Sequence, residues 1–458
     1  MSKYTPTEEL ARFICELEYK NLNKNVIGTI KSTLLDGIAC GCYGSTTPWG
    51  KVIYEFVREL GGPEESLLWL TNFKGAAANV ALALGTCIHA FDFDDYHKAK
   101  LHPASVIIPA AITMTEREKK DSKSFLTALV AGYETMIRVS LSVDPGASRL
   151  KGWHLTGTCG VFGAAATAGK ILGLNKEQMT WALGLAGTQA AGLWAFNYDG
   201  AMSKRFHPGR SSQSGIMAAI LAQKGFTGPK HILDAEDGGF WAAMTDKPRP
   251  QRLLQDLGVK YESEDTCIKP YACCGSNHAS IDAVRSIIQE QSLKVDNIKE
   301  ITIFTSKVIQ KQTGFDYLPE TVLQAQMSLK YAVAAAAVFG IVLPEHMDQV
   351  HFTSSALRAL MNKVVIKIDA EMDSLYPEHF CSRVVITSIN GNHYECKIID
   401  PLGSSERPLA WSNVVEKANA LLKSSMNKKQ IDTLIETVRN LEHSENLEAL
   451  LCILHQKI

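Results

Sequence analysis

Four histidines stand in one kind of setting, a polar loop of small residues just ahead of an apolar helical pattern. They are His102 in LHPAS, His154 in GWHLTGT, His207 in FHPGRSS and His278 in CGSNHAS. A helix N-terminus presents unpaired N–H groups and a partial positive charge, which suits an anion. A histidine beside it can take or give a proton near neutral pH. Four such loops brought together would form a site for acid–base chemistry on a small molecule bearing carboxylates.

The most polar patch in an otherwise apolar region is HAFDFDDYHKAKLHPASVIIP, residues 89–109, where Asp92, Asp94, Asp95, His97 and His102 crowd into eleven positions. A helix end running into a surface loop would also look like this. The immediate return to ASVIIPAAITM argues against a solvated loop. Pro103 suits the first position of a helix, which places His102 at its mouth. There the dipole disfavours imidazolium unless a carboxylate such as Asp92 offsets it. A second cluster, SKRFHPGRSSQSG at 203–215, gathers Lys204, Arg205, His207 and Arg210. It reads either as a solvated charged turn or as an anion cradle leading into a helix. Neither a GxxxxGK[ST] loop nor a GxGxxG after a strand occurs, so nucleotide binding has little support. Beside His154, Thr156 and Thr158 are candidates to bond a carboxylate, although a histidine next to tryptophan is often a packed core residue. His278 follows Lys269 and a cysteine pair. Tyr331 is the one hydroxyl in the apolar stretch SLKYAVAAAA, where a buried tyrosine with one satisfied hydrogen bond is the ordinary explanation.

The elements that must position these residues follow from periodicity. Apolar spacing of 3.6 residues predicts helices at 7–19, 24–42, 75–91, 104–117, 122–142, 158–172, 176–192 and 211–224. After Cys267 the composition changes, and strands are expected at 300–305, 363–369, 383–389 and 393–399. The last two flank Asn390-Gly391-Asn392, a hairpin signal. Helices at 278–291 and 326–340 lie between them, and helical pattern returns at 411–424, 427–440 and 445–454. The expected fold is mainly α. Residues 1–266 and 401–458 would form one large all-helical domain from both chain ends, with 267–400 inserted as a smaller α+β lid. A cleft between the two is a favoured place for a ligand.

At 458 residues the chain is long for one core, and two domains are the better expectation. Its 46% hydrophobic and 21% charged residues are those of an ordinary soluble protein, and a net charge of −1 gives no reason to expect nucleic acid or an anionic membrane. The longest apolar run, Tyr331 to Pro344, is shorter than the ~20 residues of a membrane span. MSKYTPTEELARF lacks an apolar signal core. Eleven scattered cysteines with no CxxC pair form neither a disulfide framework nor a structural zinc site. Reduced thiols in a cytoplasmic or organellar matrix protein are expected.

Taken together and in order, HAFDFDDYHKAKLHPAS, GWHLTGTCGVFGAAATAGKILGL, KRFHPGRSSQSGIMAA and KPYACCGSNHASIDA resemble the MmgE/PrpD family from about residue 5 to 440. That family includes 2-methylcitrate dehydratase, cis-aconitate decarboxylase and iminodisuccinate epimerase, which act on small polycarboxylates without metal or organic cofactor. The resemblance implies the two-part fold, a homodimer, and decarboxylase-type active-site positions at Asp92, His102, His154, Lys204, His278 and Tyr331. Tyr96 departs from the decarboxylase pattern, which has threonine there, and the KPYACCGSNH loop differs too. The implied chemistry is a lyase reaction, dehydration or decarboxylation, by proton transfer next to a carboxylate, with epimerisation on the same site as the alternative. His102 and His154 would be the acid–base pair; Lys204, Arg210 and Lys269 would hold carboxylates; His207, His278 and Tyr96 would line the substrate; Tyr331 would supply a further proton or hydrogen bond. Two rivals belong to other classes. Asp92-x-Asp94-Asp95 suggests a magnesium site for diphosphate chemistry, but the spacing is not DDxxD and no second acidic motif completes it. A non-catalytic acid-binding protein on an old enzyme fold is the other.

Overall fold

Small residues let helices approach closely, and the first half of the chain is built on that. A computed structural model describes residues 4–455 and is predominantly helical. Helix Ala77–Ile88 crosses helix Ser203–Gln223 with Gly85 against Gly209, and a Cβ on Gly209 would lie 2.2 Å from the Leu82 carbonyl oxygen. Helices Ser122–Ser142 and Leu155–Leu172 are buried around almost their whole circumference, consistent with central members of a bundle. Asn23 and Asp121 cap helices Lys24–Ser45 and Ser122–Ser142 by accepting from Val26 and Ser124.

Two departures from the periodic reading have clear causes. Helix Ser203–Gln223 begins eight residues before the expected 211, because its first two turns carry SKRFHPGR, whose charges hide the pattern. Pro208 lies inside it. Helix Pro48–Leu60 was not anticipated; Thr47 caps it through the Gly50 N–H, and its buried Ile53, Tyr54 and Val57 form a narrow stripe.

The later region holds a four-stranded sheet. Its order is Val364–Ile368, Ile298–Thr305, Ser382–Ser388, His393–Ile398, the first pair parallel and the others antiparallel. Ile303 pairs with Ile366 on one side and Val384 on the other. Strand Ser382–Ser388 alternates buried and half-buried residues, so Val384 and Ile386 face a core. The hairpin closes at Gly391, with φ of 85°. Helices His278–Glu290 and Leu329–Phe339 pack with this sheet region.

Two principal hydrophobic clusters result. One joins residues between Leu10 and Ala272 with residues between Val414 and Leu454; the other lies between Tyr271 and Ile386. Helix Trp411–Leu422 returns to helix Lys24–Ser45, and Lys417 is the polar tie there. Its ammonium lies 2.6 Å from Asp36 and donates to the carbonyls of Phe93 and Lys269. All eleven cysteines are free. Among the described residues no helix is long and apolar enough to cross a membrane.

Candidate active site

The polar segment after helix Ala77–Ile88 turns inward rather than out to water. Asp92, Asp94, Asp95 and His97 are all buried. Asp92 adopts a φ of 51°, a left-handed conformation that aspartate tolerates better than most residues. Its carboxylate lies between two ammonium groups, with Lys204 donating to Oδ2 and Lys269 to Oδ1, each at 2.5 Å. Lys269 also donates to the Asp92 carbonyl at 2.7 Å. Burial works against ionisation of Asp92, but Lys204 and Lys269 hold its carboxyl well below the usual range.

Imidazoles surround this ion cluster. His102 precedes helix Ala104–Glu118, and its Nδ1 lies 2.8 Å from the Asp95 carbonyl. A carbonyl only accepts, so Nδ1 carries the proton and the Nε2 lone pair faces inward, 3.6 Å from Asp92 Oδ1. Asp95 fixes the helix start by accepting from Ala104 N–H at 2.9 Å and from the Tyr133 hydroxyl. His154 is the N-cap of helix Leu155–Leu172, and its Nδ1 meets His207 Nδ1 at 2.9 Å. Its ring stands edge-on to Trp194 and Phe196. Burial, reinforced by Lys269 at His102 and by His207 at His154, pushes both pKa values well below 6.5. Both are neutral at physiological pH. His278 opens helix His278–Glu290 with its ring edge-on to Tyr96, and burial and Lys269 lower it to about 3.

A cavity of about 60 Å³ lies among these groups, lined by His102, His154, Lys204 and the Tyr96 ring. Ligand pockets usually measure ~300–1,000 Å³, so a polycarboxylate requires the walls to part. The Tyr96 ring is a wall 5.9 Å from the Lys269 ammonium, and its hydroxyl is buried without a hydrogen-bond partner among the described residues.

Several expectations from the sequence need correction. His207 is not in a loop ahead of a helix but within helix Ser203–Gln223. Arg210, on the outer face of that helix, is exposed and donates to Gln213; its place near the cluster belongs to buried Arg205, which stacks over Trp49 and donates to Gln326. Tyr331 lies in the second hydrophobic cluster and donates to the His346 carbonyl, the ordinary buried tyrosine rather than a cavity group. Thr156 accepts from the His102 backbone N–H and so positions the histidine.

Sequence reasoning missed His89. Its Nδ1 lies 2.8 Å from Asp94 Oδ1, its Nε2 is buried without a hydrogen-bond partner among the described residues, and its ring is 4.5 Å from that of His102. Asp94, opposed by burial but held by His89, falls below its ordinary range. The His89–Asp94 spacing was visible, but a histidine ending an apolar helix gave no reason to single it out. Lys100, Arg149 and Trp194, which also line the cavity, were missed because single charges in HKAK and ASRLK look like solvated ones.

Ligand atoms of His89, Asp92, Asp94 and His102 lie within 4.8 Å of one another, as do those of His97, Glu262 and Asp265. A dication in the first group would have to displace both lysines from Asp92, so that donor set is poorly suited to one.

The sequence profile of the MmgE/PrpD N-terminal domain matches residues 8–253, and that of the C-terminal domain matches 271–443. The chain belongs to the MmgE/PrpD family. It is similar to a cis-aconitate decarboxylase-like protein, oryM, of Aspergillus oryzae, with 30% identity over 98% of this chain and 97% of the relative. Cis-aconitate decarboxylases of Aspergillus terreus and Homo sapiens are each 25% identical, covering 98% of this chain and 96% and 94% of theirs. With this family membership the chain is a lyase.

Proposed function

We propose that this lyase acts on a small di- or tricarboxylic acid, without metal or organic cofactor, by moving a proton at a carbon next to a carboxylate. The observation that carries the reading is the Asp92 carboxylate held by two lysines beside the neutral His102 imidazole, whose lone pair faces inward. A substrate carboxylate approaching Lys204 and Lys269 finds the charges that stabilise an enediolate. In dehydration, His102 Nε2 takes the proton from carbon, the electron pair of that bond moves toward the carboxylate, and hydroxide leaves from the neighbouring carbon with the proton that the His102 imidazolium hands on, His154 hydrogen-bonding the leaving oxygen. In decarboxylation, the carbon–carboxylate bond breaks, carbon dioxide leaves with no electron pair, and an imidazole that has first taken up a proton from solvent gives it to that carbon. The Asp95 carbonyl orients His102 and His207 orients His154 in either case.

The test is a proton NMR screen of di- and tricarboxylates in deuterated buffer, with cis-aconitate included and EDTA present. Loss of water, loss of carbon dioxide, or deuterium entry beside a carboxylate supports the reading. Turnover that disappears in EDTA and returns with magnesium overturns the metal-independent chemistry, and inertness toward the whole set overturns the substrate class.

A further inference from the structure

The cavity has a second cationic pole that the mechanism does not use. Lys100 reaches it from the loop before His102, with its ammonium buried and without a hydrogen-bond partner among the described residues. The contacts it makes are over aromatic rings, 4.2 Å from the centre of Tyr376 and 5.6 Å from Phe380. Arg149 comes from the short helix Pro145–Leu150 that leads into His154, and stacks 3.6 Å over the Trp194 ring. Its Nε and the Trp194 Nε1 are buried donors without acceptors too. Gln312 Oε1, an unpartnered acceptor on the same cavity, cannot take their place as an anion.

No described carboxylate pairs with Lys100 or Arg149, whereas Lys204 and Lys269 share Asp92. A buried cation without a counter-ion is costly, and proteins seldom keep one that a neutral side chain would replace. Burial and the neighbouring Arg149 push Lys100 down to about 7, as befits a cation waiting for an anion. Three buried, unpartnered donors belong to residues that line one cavity, and a planar oxyanion entering it offers the acceptors they lack.

We infer that Lys100, Arg149 and Trp194 form a subsite for the carboxylate of the substrate farthest from Lys204 and Lys269. This rests on the proposed polycarboxylate chemistry. It narrows the substrate to acids with an anionic group at each end, one at the Asp92 pole and one beside Trp194, and it makes Lys100 and Arg149 specificity residues.

The experiment is calorimetric titration of tricarballylate, a saturated tricarboxylate, and of sulfate into the full-length protein and its Lys100→Met, Arg149→Met and Lys204→Met variants. Melting of each ligand-free variant is recorded alongside. Lys100→Met and Arg149→Met should each weaken tricarballylate at least tenfold, and ligand-free Lys100→Met should melt no lower than wild type because an unpaired buried charge is gone. Unchanged tricarballylate affinity in both variants, with Lys204→Met still impaired, would overturn the subsite and leave the proposed function standing. Sulfate binding that needs Lys100 in a protein that binds no polycarboxylate would overturn the assignment to substrate and point to an inorganic anion. Early melting of Lys100→Met would make the residue structural and overturn the inference too.

Discussion

At the scale of single residues, the chemistry turns on protonation states set by burial. His102 and His154 are neutral and Lys204 is paired, so His102→Ala, His154→Ala and Lys204→Ala should each lower kcat by ~10²-fold or more. Steady-state kinetics on the substrate found in the screen checks this, with circular dichroism to confirm folding. The pH dependence has a definite sign. A base with a depressed pKa stays deprotonated to lower pH, so proton abstraction by His102 predicts a kcat/KM acid limb below 6.5. Activity falling as pH rises through that region would assign an imidazolium proton donor, hence loss of carbon dioxide. Tyr96 should shape specificity by bulk, because its side chain bounds the cavity and its hydroxyl makes no hydrogen bond among the described residues. Tyr96→Phe should behave as wild type. Tyr96→Thr should accept larger tricarboxylates and gain on cis-aconitate, which wild type should convert to itaconate weakly or not at all. Efficient itaconate formation by wild type would show the ring to be no obstacle.

At the scale of elements, the site depends on how closely two helices cross. Lys204 reaches Asp92 because Gly209, five residues on, sits against Gly85. Gly209→Ala would place its methyl 2.2 Å from a backbone carbonyl, which cannot swing aside as a side chain can. It should cost ~1–3 kcal/mol of stability, read by thermal melting, and lower turnover in the molecules that remain folded. Most helices and all four sheet strands were legible in the sequence within a few residues, since their apolar periods are clean. Helix Pro48–Leu60 escaped because its buried stripe is narrow, and the first turns of Ser203–Gln223 escaped because charged residues there point into the site. Three of the four histidine loops were read correctly. Arg210 and Tyr331 were misread because spacing tells which residues are near in sequence, not which face of a helix points inward. Lys100 and Arg149 were invisible for the converse reason: a lone cation in a polar stretch gives no sign that its nitrogen is buried.

At the scale of the whole molecule, the cavity is too small for a polycarboxylate as it stands, and Tyr96, Cys274, Gly275 and Phe380 close it from different segments. We propose that residues 267–400 move as a lid. Tricarballylate should then slow hydrogen exchange in the flanking stretches near Cys267 and Pro401. Equal exchange with and without bound ligand would leave opening to side chains alone.

The chain's closing helices carry a further implication, which concerns birth rather than catalysis. Residues 414–454 complete the same hydrophobic cluster that residues near the N-terminus begin. Ribosomes add ~5–20 residues per second, so the intervening stretch keeps helix Lys24–Ser45 waiting roughly 20–70 s for helix Trp411–Leu422. Throughout that interval the side of it that meets Trp411–Leu422, Asp36 included, lacks its cover. The nascent protein is therefore a natural client for chaperones. A version ending at residue 410 should accumulate in the insoluble fraction on expression, and co-expressing 411–458 as a separate peptide should rescue part of it.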